Sequence, residues 1–221
     1  MTIPEPLVVK ICGLSTPDTV AAALAAGADR IGLVFFPRSP RNVSLSRAQD
    51  LARQARGTAE VVALTVNPDD AALEEILRTV APDWLQLHGR ESPERVAAIR
   101  RRFGVRIMKA IGVAEAAEVE TAAAYDGAAD AILFDAKPPK GAPLPGGNGV
   151  AFDWTILRNV ARPFMLSGGL SVDNVGEALR VSGARAVDVS SGVEHAPGAK
   201  DAAKIRAFIE LARRTASAGA T

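Results

Sequence analysis

Eight short runs of β-branched and apolar residues recur along this chain, each followed by a longer stretch rich in alanine and leucine. They begin near Leu7, Arg30, Glu60, Trp84, Arg106, Asp130, Pro163 and Ala186, so successive starts lie 22 to 33 residues apart. A strand plus a covering helix takes up about that much chain, and its repetition predicts a parallel sheet sheathed by helices. Eight units with no break in composition favour one closed α/β barrel, a (βα)8 or TIM barrel forming a single domain over 1–221. An open doubly wound sheet is the alternative topology. The strands are expected over 7–11, 30–35, 60–66, 84–87, 106–110, 130–134, 163–167 and 186–189. Gly27, Gly127 and Gly183, each shortly before a strand, predict left-handed helix C-caps. Ser15 or Thr16, Ser44 or Ser46, Ser92 and Ser171 are expected N-caps. Residues 1–6 and 215–221 read as flexible tails.

Composition narrows the function. Hydrophobic residues make up 48% of the chain and charged residues 23%, which suits a packed globular core rather than a disordered chain. Twenty-six basic and 25 acidic residues leave a net charge of +1, so neither nucleic acid nor an anionic membrane surface is an expected partner. The run Arg100-Arg101-Arg102 reads as a solvated helix face. A single cysteine, Cys12, excludes an internal disulfide and suits a reducing compartment. Neither a secretory leader nor an apolar membrane span is visible, so a soluble cytoplasmic protein is expected.

Strands buried on both faces should be apolar throughout, so polar residues within them need an explanation. Because side chains alternate along a strand, Lys10 and Cys12 share a face, as do Gln86 with His88, Leu133 with Asp135, Asp188 with Ser190, and Thr65 with Asn67. One face of each strand looks into the barrel, and these residues crowd toward the C-terminal strand ends, where barrel active sites lie. A satisfied internal hydrogen-bond network is the plainer reading for any one of them. Glycine-bearing turns follow the last two strands, Ser167-Gly-Gly-Leu170 and Ser190-Ser-Gly-Val193. Gly168, Gly169, Ser190, Ser191 and Gly192 there fit a phosphate site built from backbone N–H groups. No nucleotide-binding glycine motif is present.

Taken together, Lys10-Ile-Cys-Gly13, Phe35-Phe-Pro-Arg-Ser-Pro-Arg41, Gln86-Leu-His-Gly89, Leu133-Phe-Asp135, Leu166-Ser-Gly-Gly-Leu170 and Val187-Asp-Val-Ser-Ser-Gly-Val-Glu194 form a set. In order and spacing it resembles the phosphoribosylanthranilate isomerases of tryptophan biosynthesis. The resemblance implies an Amadori rearrangement of a phosphorylated small molecule, without metal or organic cofactor. It implies Asp135 as general acid, Cys12 as general base, and Arg41 as the partner of the anthranilate carboxylate through a bidentate pairing. His88 and Asp188 are implied to line the substrate site.

The chemistry asks a carboxyl to hold a proton and a thiol to lose one, so the pocket must push both against their ordinary ionisation. Lys10, two residues before Cys12, is the expected source of a favourable charge for the thiolate. Arg38 could replace Arg41, and Lys109 could in principle form a Schiff base, although a non-covalent charge is the plainer reading. Thr65 is expected near the substrate's aromatic ring, and the loop from Lys137 to Gly149 is a candidate lid. The related isomerase of histidine biosynthesis is a rival, but it resembles a two-aspartate arrangement that Cys12 breaks. A non-catalytic phosphate-binding barrel is the other. Sequence leaves monomer and homodimer both open.

Overall fold

The computed structural model describes residues 6–138, 141, 146, 147 and 149–218. Eight parallel strands close into a barrel: β1 (Val8–Cys12), β2 (Arg30–Phe35), β3 (Glu60–Thr65), β4 (Trp84–Leu87), β5 (Arg106–Val113), β6 (Ala131–Ala136), β7 (Met165–Leu166) and β8 (Ala186–Val189). Closure is made by β8 on β1, where Lys10 stands opposite Asp188 and Ile11 opposite Val189. Around the barrel lie α1 (Pro17–Ala25), α2 (Leu45–Ala55), α3 (Asp70–Val80), α4 (Pro93–Phe103), α5 (Ala116–Glu120), α6 (Val175–Ser182) and α7 (Ala202–Ala218). A small hairpin, β9 (Glu194–Ala196) with β10 (Ala199–Lys200), follows β8.

The predicted alternation of faces is what packs the molecule. Ile11, Ile31, Leu33, Val61, Ile132, Phe134 and Val187 face outward and bury against helix residues such as Val20, Leu51, Ile205 and Phe208. The alternate positions Val62, Met108, Ala110, Leu133 and Met165 form a separate cluster inside the barrel, with Trp84 beneath them. At the N-terminal floor the guanidinium groups of Arg30 and Arg106 stack on the Trp84 ring, 4.5 and 4.4 Å from its centroid. Glu60 joins all three, accepting from Arg30 Nε at 2.7 Å, Arg106 Nη2 at 2.6 Å and Trp84 Nε1 at 2.9 Å. Partial burial pushes the Glu60 carboxyl up, but those three donors outweigh it and hold it below its ordinary value.

Several local expectations are revised. Thr16, Ser44 and Ser92 cap α1, α2 and α4 as expected, and Asp69 caps α3. Ser171 does not open α6. It exchanges hydrogen bonds with the following turn, since Asn174 Oδ1 accepts from Ser171 N and Ser171 Oγ from Asp173 N, and this turn postpones the helix to Val175. Between β6 and β7 the expected helix is reduced, among the described residues, to a single 3₁₀ turn over Trp154–Leu157. The tail expected from residue 215 is instead helical through Ala218. Ala216 packs on the core, and Arg213 ties α7 to the carbonyls of Leu7 and Gly27 and to Asp29. Residues 1–5 and 219–221 lie outside the described residues.

Leu133 is fully buried in the barrel interior. Leu133→Ala should therefore cost about 2 to 5 kcal/mol of unfolding free energy, measured by chemical denaturation, because a closed barrel has little room to collapse around the cavity.

Candidate active site

A cleft of about 800 Å³, its open mouth included, occupies the C-terminal end of the barrel. Cys12, Arg41, His88, Asp135, Gly168, Gly169, Asp188, Ser190 and Ser191 all line it. Gly192 does not. A Cβ there would collide with the backbone of Leu170, so this glycine lets the two turns after β7 and β8 pack together beneath the cleft. The cleft wall near β3 is Leu64 and Val66 rather than Thr65. Thr65 and Asn67 do share a face, but it is the outer one: Asn67 Oδ1 accepts from Arg90 N, and Asn67 N donates to Glu91.

At the base of the cleft, Lys10 Nζ donates to Asp188 Oδ1 at 2.9 Å with both side chains buried. Position 32 on the neighbouring strand has to be glycine, because a Cβ there would lie 2.7 Å from Cys12 Sγ and 3.2 Å from Lys10 Nζ. Burial would lower the Lys10 ammonium, but Asp188 and Cys12 outweigh it and keep it above its ordinary value. For Cys12 the balance falls the other way. Burial pushes the thiol up, Lys10 pulls it down, and Asp188 pushes it up again, so the net shift is upward. Lys10 thus acts in the expected direction without deciding the resting state, because burial outweighs it and the Asp188 charge adds to the burial.

Asp135, next to last in β6, lies on the opposite side of the cleft. Its Oδ1 accepts from Ala136 N at 2.9 Å, and its Oδ2 lies 3.1 Å from His88 Nε2. Gly146 presses on this pair: a Cβ would fall 2.6 Å from Asp135 Oδ2 and 2.7 Å from His88 Nε2. Most of the expected lid, residues 139, 140, 142–145 and 148, lies outside the described residues.

Arg41 is buried at the rim, whereas Arg38 is exposed and does not line the cleft. The fork expected to meet a substrate carboxylate is partly engaged by Glu194, which accepts from Nε at 2.7 Å and from Nη2 at 2.9 Å. The other end, with Nη1, faces Gly147. Lys200 completes the cluster, donating to Glu194 at 2.7 Å and to the Ser190 carbonyl at 2.9 Å. Burial pushes the Glu194 carboxyl up, but Arg41 and Lys200 more than offset it. Burial lowers the Lys200 ammonium, and Glu194 only partly restores it. The sequence motif includes Glu194 without giving it a role and stops short of Lys200; the signal for Glu194 is a carboxyl placed directly after the Ser-Ser-Gly-Val turn.

Lys109 does not enter the cleft. Its ammonium donates to the carbonyls of Leu87 (3.2 Å) and Gly89 (2.8 Å) and to Glu91 (2.8 Å), bracketing the backbone on both sides of His88. With three donors engaged, it has no free amine for a Schiff base. After β7, Gly168 and Gly169 take φ angles of +88° and +65°, and neither N–H meets a partner among the described residues. Ser190 Oγ instead spends its proton on the Cys12 carbonyl at 3.1 Å.

Ionisable groups gathered at the C-terminal mouth of a closed barrel, beside paired glycine turns, mark the chain as a (βα)8 enzyme. The family model described as N-(5'phosphoribosyl)anthranilate (PRA) isomerase matches residues 9–211. A protein of that name from Rhodopseudomonas palustris (strain BisA53) is 61% identical over 95% of this chain and 97% of its own length. The crystal structure of the phosphoribosyl anthranilate isomerase from Thermotoga maritima superposes with a TM-score of 0.84 at 34% identity, covering 94% of this chain and 99% of that one. A further structure of such an enzyme, in complex with reduced 1-(o-carboxyphenylamino)-1-deoxyribulose 5-phosphate, gives a TM-score of 0.81 at 33% identity over 94% of this chain and 99% of that one. The chain belongs to the N-(5'-phosphoribosyl)anthranilate isomerase family, which sets aside the histidine-pathway and non-catalytic readings.

Alkylation checks the charge balance at Cys12. In the substrate-free protein, iodoacetamide should modify this thiol slowly at neutral pH, with the rate climbing only beyond about pH 9. Lys10→Met should move that climb still higher. A rate that levels off below about pH 8, followed by mass spectrometry, would show Lys10 overriding burial.

Proposed function

We propose that Asp135 and Cys12 are the acid and base with which this isomerase of tryptophan biosynthesis converts N-(5'-phosphoribosyl)anthranilate to 1-(2-carboxyphenylamino)-1-deoxyribulose 5-phosphate. The observation that carries the proposal is that the two groups, from β6 and β1, line one cleft beside the glycine turns of β7 and β8. Asp135 gives a proton to the furanose ring oxygen as the C1–O bond breaks and the anthranilate nitrogen lone pair forms a C1=N bond. Cys12 then takes the proton from C2, leaving an enolamine. Return of a proton at C1 and loss of the enol proton yield the ketose, so the substrate is isomerised with no net change in atoms.

The base must shed its own proton before it can act, and Lys10 is the neighbour that favours the thiolate. Asp188, in holding Lys10, keeps that ammonium in place. The free end of Arg41 takes the substrate carboxylate as a charge-assisted pair. The N–H groups of Gly168 and Gly169, which meet no partner among the described residues, take the phosphate with Ser191 beside them. No step in this sequence calls on a metal or an organic cofactor.

We place the reaction in the cytoplasm, on the ground that its base is a free thiol that a reducing compartment preserves. Among the described residues no helix is long and apolar enough to cross a membrane. The working unit is a monomer or a homodimer; the relative from Thermotoga maritima is a dimeric enzyme that has also been crystallised as generated monomers.

Cys12→Ser and Asp135→Asn should each fold and lose about a hundredfold or more in turnover, the usual worth of a general acid or base. The assay follows the fluorescence of freshly made N-(5'-phosphoribosyl)anthranilate. Wild-type protein that leaves it decaying at the spontaneous rate, or variants as fast as wild type, would overturn the assignment.

A further inference from the structure

Gln86 is fully buried inside the barrel, on the same face of β4 as His88. Its amide Nε2 lies 3.0 Å from His88 Nδ1, and the other ring nitrogen, Nε2, lies 3.1 Å from Asp135 Oδ2. Its own carbonyl, Oε1, is buried and accepts no hydrogen bond from any described residue. A buried acceptor without a donor costs stability, and leucine or methionine would fill the same volume without that cost. The residue is therefore explained by its N–H rather than by its bulk.

An amide N–H can only donate, so the Nδ1 atom it faces must carry a lone pair. A neutral imidazole has one proton, and here that leaves it on Nε2, aimed at Asp135. Were Nδ1 protonated instead, its N–H would meet the Gln86 N–H head-on, donor against donor, across 3.0 Å. His88 has no other side-chain partner among the described residues to choose between the two forms. Its backbone is already clamped on both sides by Lys109 through the carbonyls of Leu87 and Gly89, which fixes the strand end that carries the ring.

We propose that Gln86 is a positioning residue: it holds His88 in the tautomer protonated on Nε2, so that His88 donates a fixed hydrogen bond that keeps Asp135 aimed into the cleft. The consequence for turnover rests on the reading of Asp135 as the acid; the tautomer itself does not. Asp135 then meets one fixed donor on each oxygen, Ala136 N on Oδ1 and His88 on Oδ2, and its rotation is arrested at both ends. The expected signature is a fall in kcat rather than a rise in KM, because the substrate's anionic ends are held elsewhere in the cleft.

The test labels the protein with imidazole ¹⁵N and records the ring signals at about pH 8.5, where an ordinary imidazole is neutral. A His195→Gln variant assigns them, since His88 and His195 are the two histidines of the chain. Wild-type His88 should carry its proton on Nε2. Gln86→Leu and the closer-shaped Gln86→Met should show a mixture of tautomers, and Gln86→Glu should move the proton to Nδ1. In the fluorescence assay the apolar variants should lose roughly 10- to 100-fold in kcat, the usual cost of removing a group that orients a functional side chain. In a His88→Ala background the same substitutions should cost almost nothing further. A wild-type ring protonated on Nδ1, or an equal loss in both backgrounds, would overturn the proposal. Full activity in Asp135→Asn would instead sink the acid assignment while leaving the tautomer result standing.

Discussion

The contact on which this molecule turns is the buried pair of Lys10 and Asp188, which sit opposite each other where the last strand closes on the first. Both side chains point inward, so the seam is locked by charge as well as by backbone hydrogen bonds. Two ions out of water are expensive unless each satisfies the other, and losing one partner typically costs about 3 to 5 kcal/mol. Glycine at position 32 leaves the space into which both Lys10 and the Cys12 sulfur fit. The same ammonium that closes the barrel is the thiol's favourable neighbour, so architecture and reactivity share a single charge.

Two further charged clusters organise the mouth in the same manner. Arg41, Glu194 and Lys200 bind the loop after β2 to the hairpin after β8. Lys109 and Glu91 bind β5 to the turn after β4, and Glu91 also accepts from Asn67 N beyond β3. In both, a buried carboxylate is shared among several donors, which is the condition under which a buried ion is tolerated. The loops that carry the chemistry are therefore fastened to one another from beneath.

Much of this was legible in the sequence, and what was not has a common cause. The strands β2, β4 and β8 begin and end where the β-branched runs do, because period-two burial leaves a local trace. The inward parity of Lys10, Cys12, His88, Asp135 and Asp188 followed from the same alternation. Parity says which residues share a face but not which face is inside, and so Thr65 and Asn67 were assigned to the cleft when they point out of it. Arg41 and Glu194 lie 153 residues apart in the chain, and no local pattern announces such a pairing. The upward shift at Cys12 is hidden for a related reason: it depends first on how deeply the sulfur is buried, and then on where Lys10 and Asp188 stand around it.

The stack of Trp84 between Arg30 and Arg106 has a significance apart from packing. With Glu60 beside it and Met108 and Met165 above, it stoppers the cylinder at its lower end, and Lys10 has no exposed surface. Among the described residues, the way to the sulfur is therefore the upper opening. A bound molecule filling that opening would shield the thiol from bulk solvent, so hydrogen lifted from carbon would stay among the guest and the groups that line the cleft.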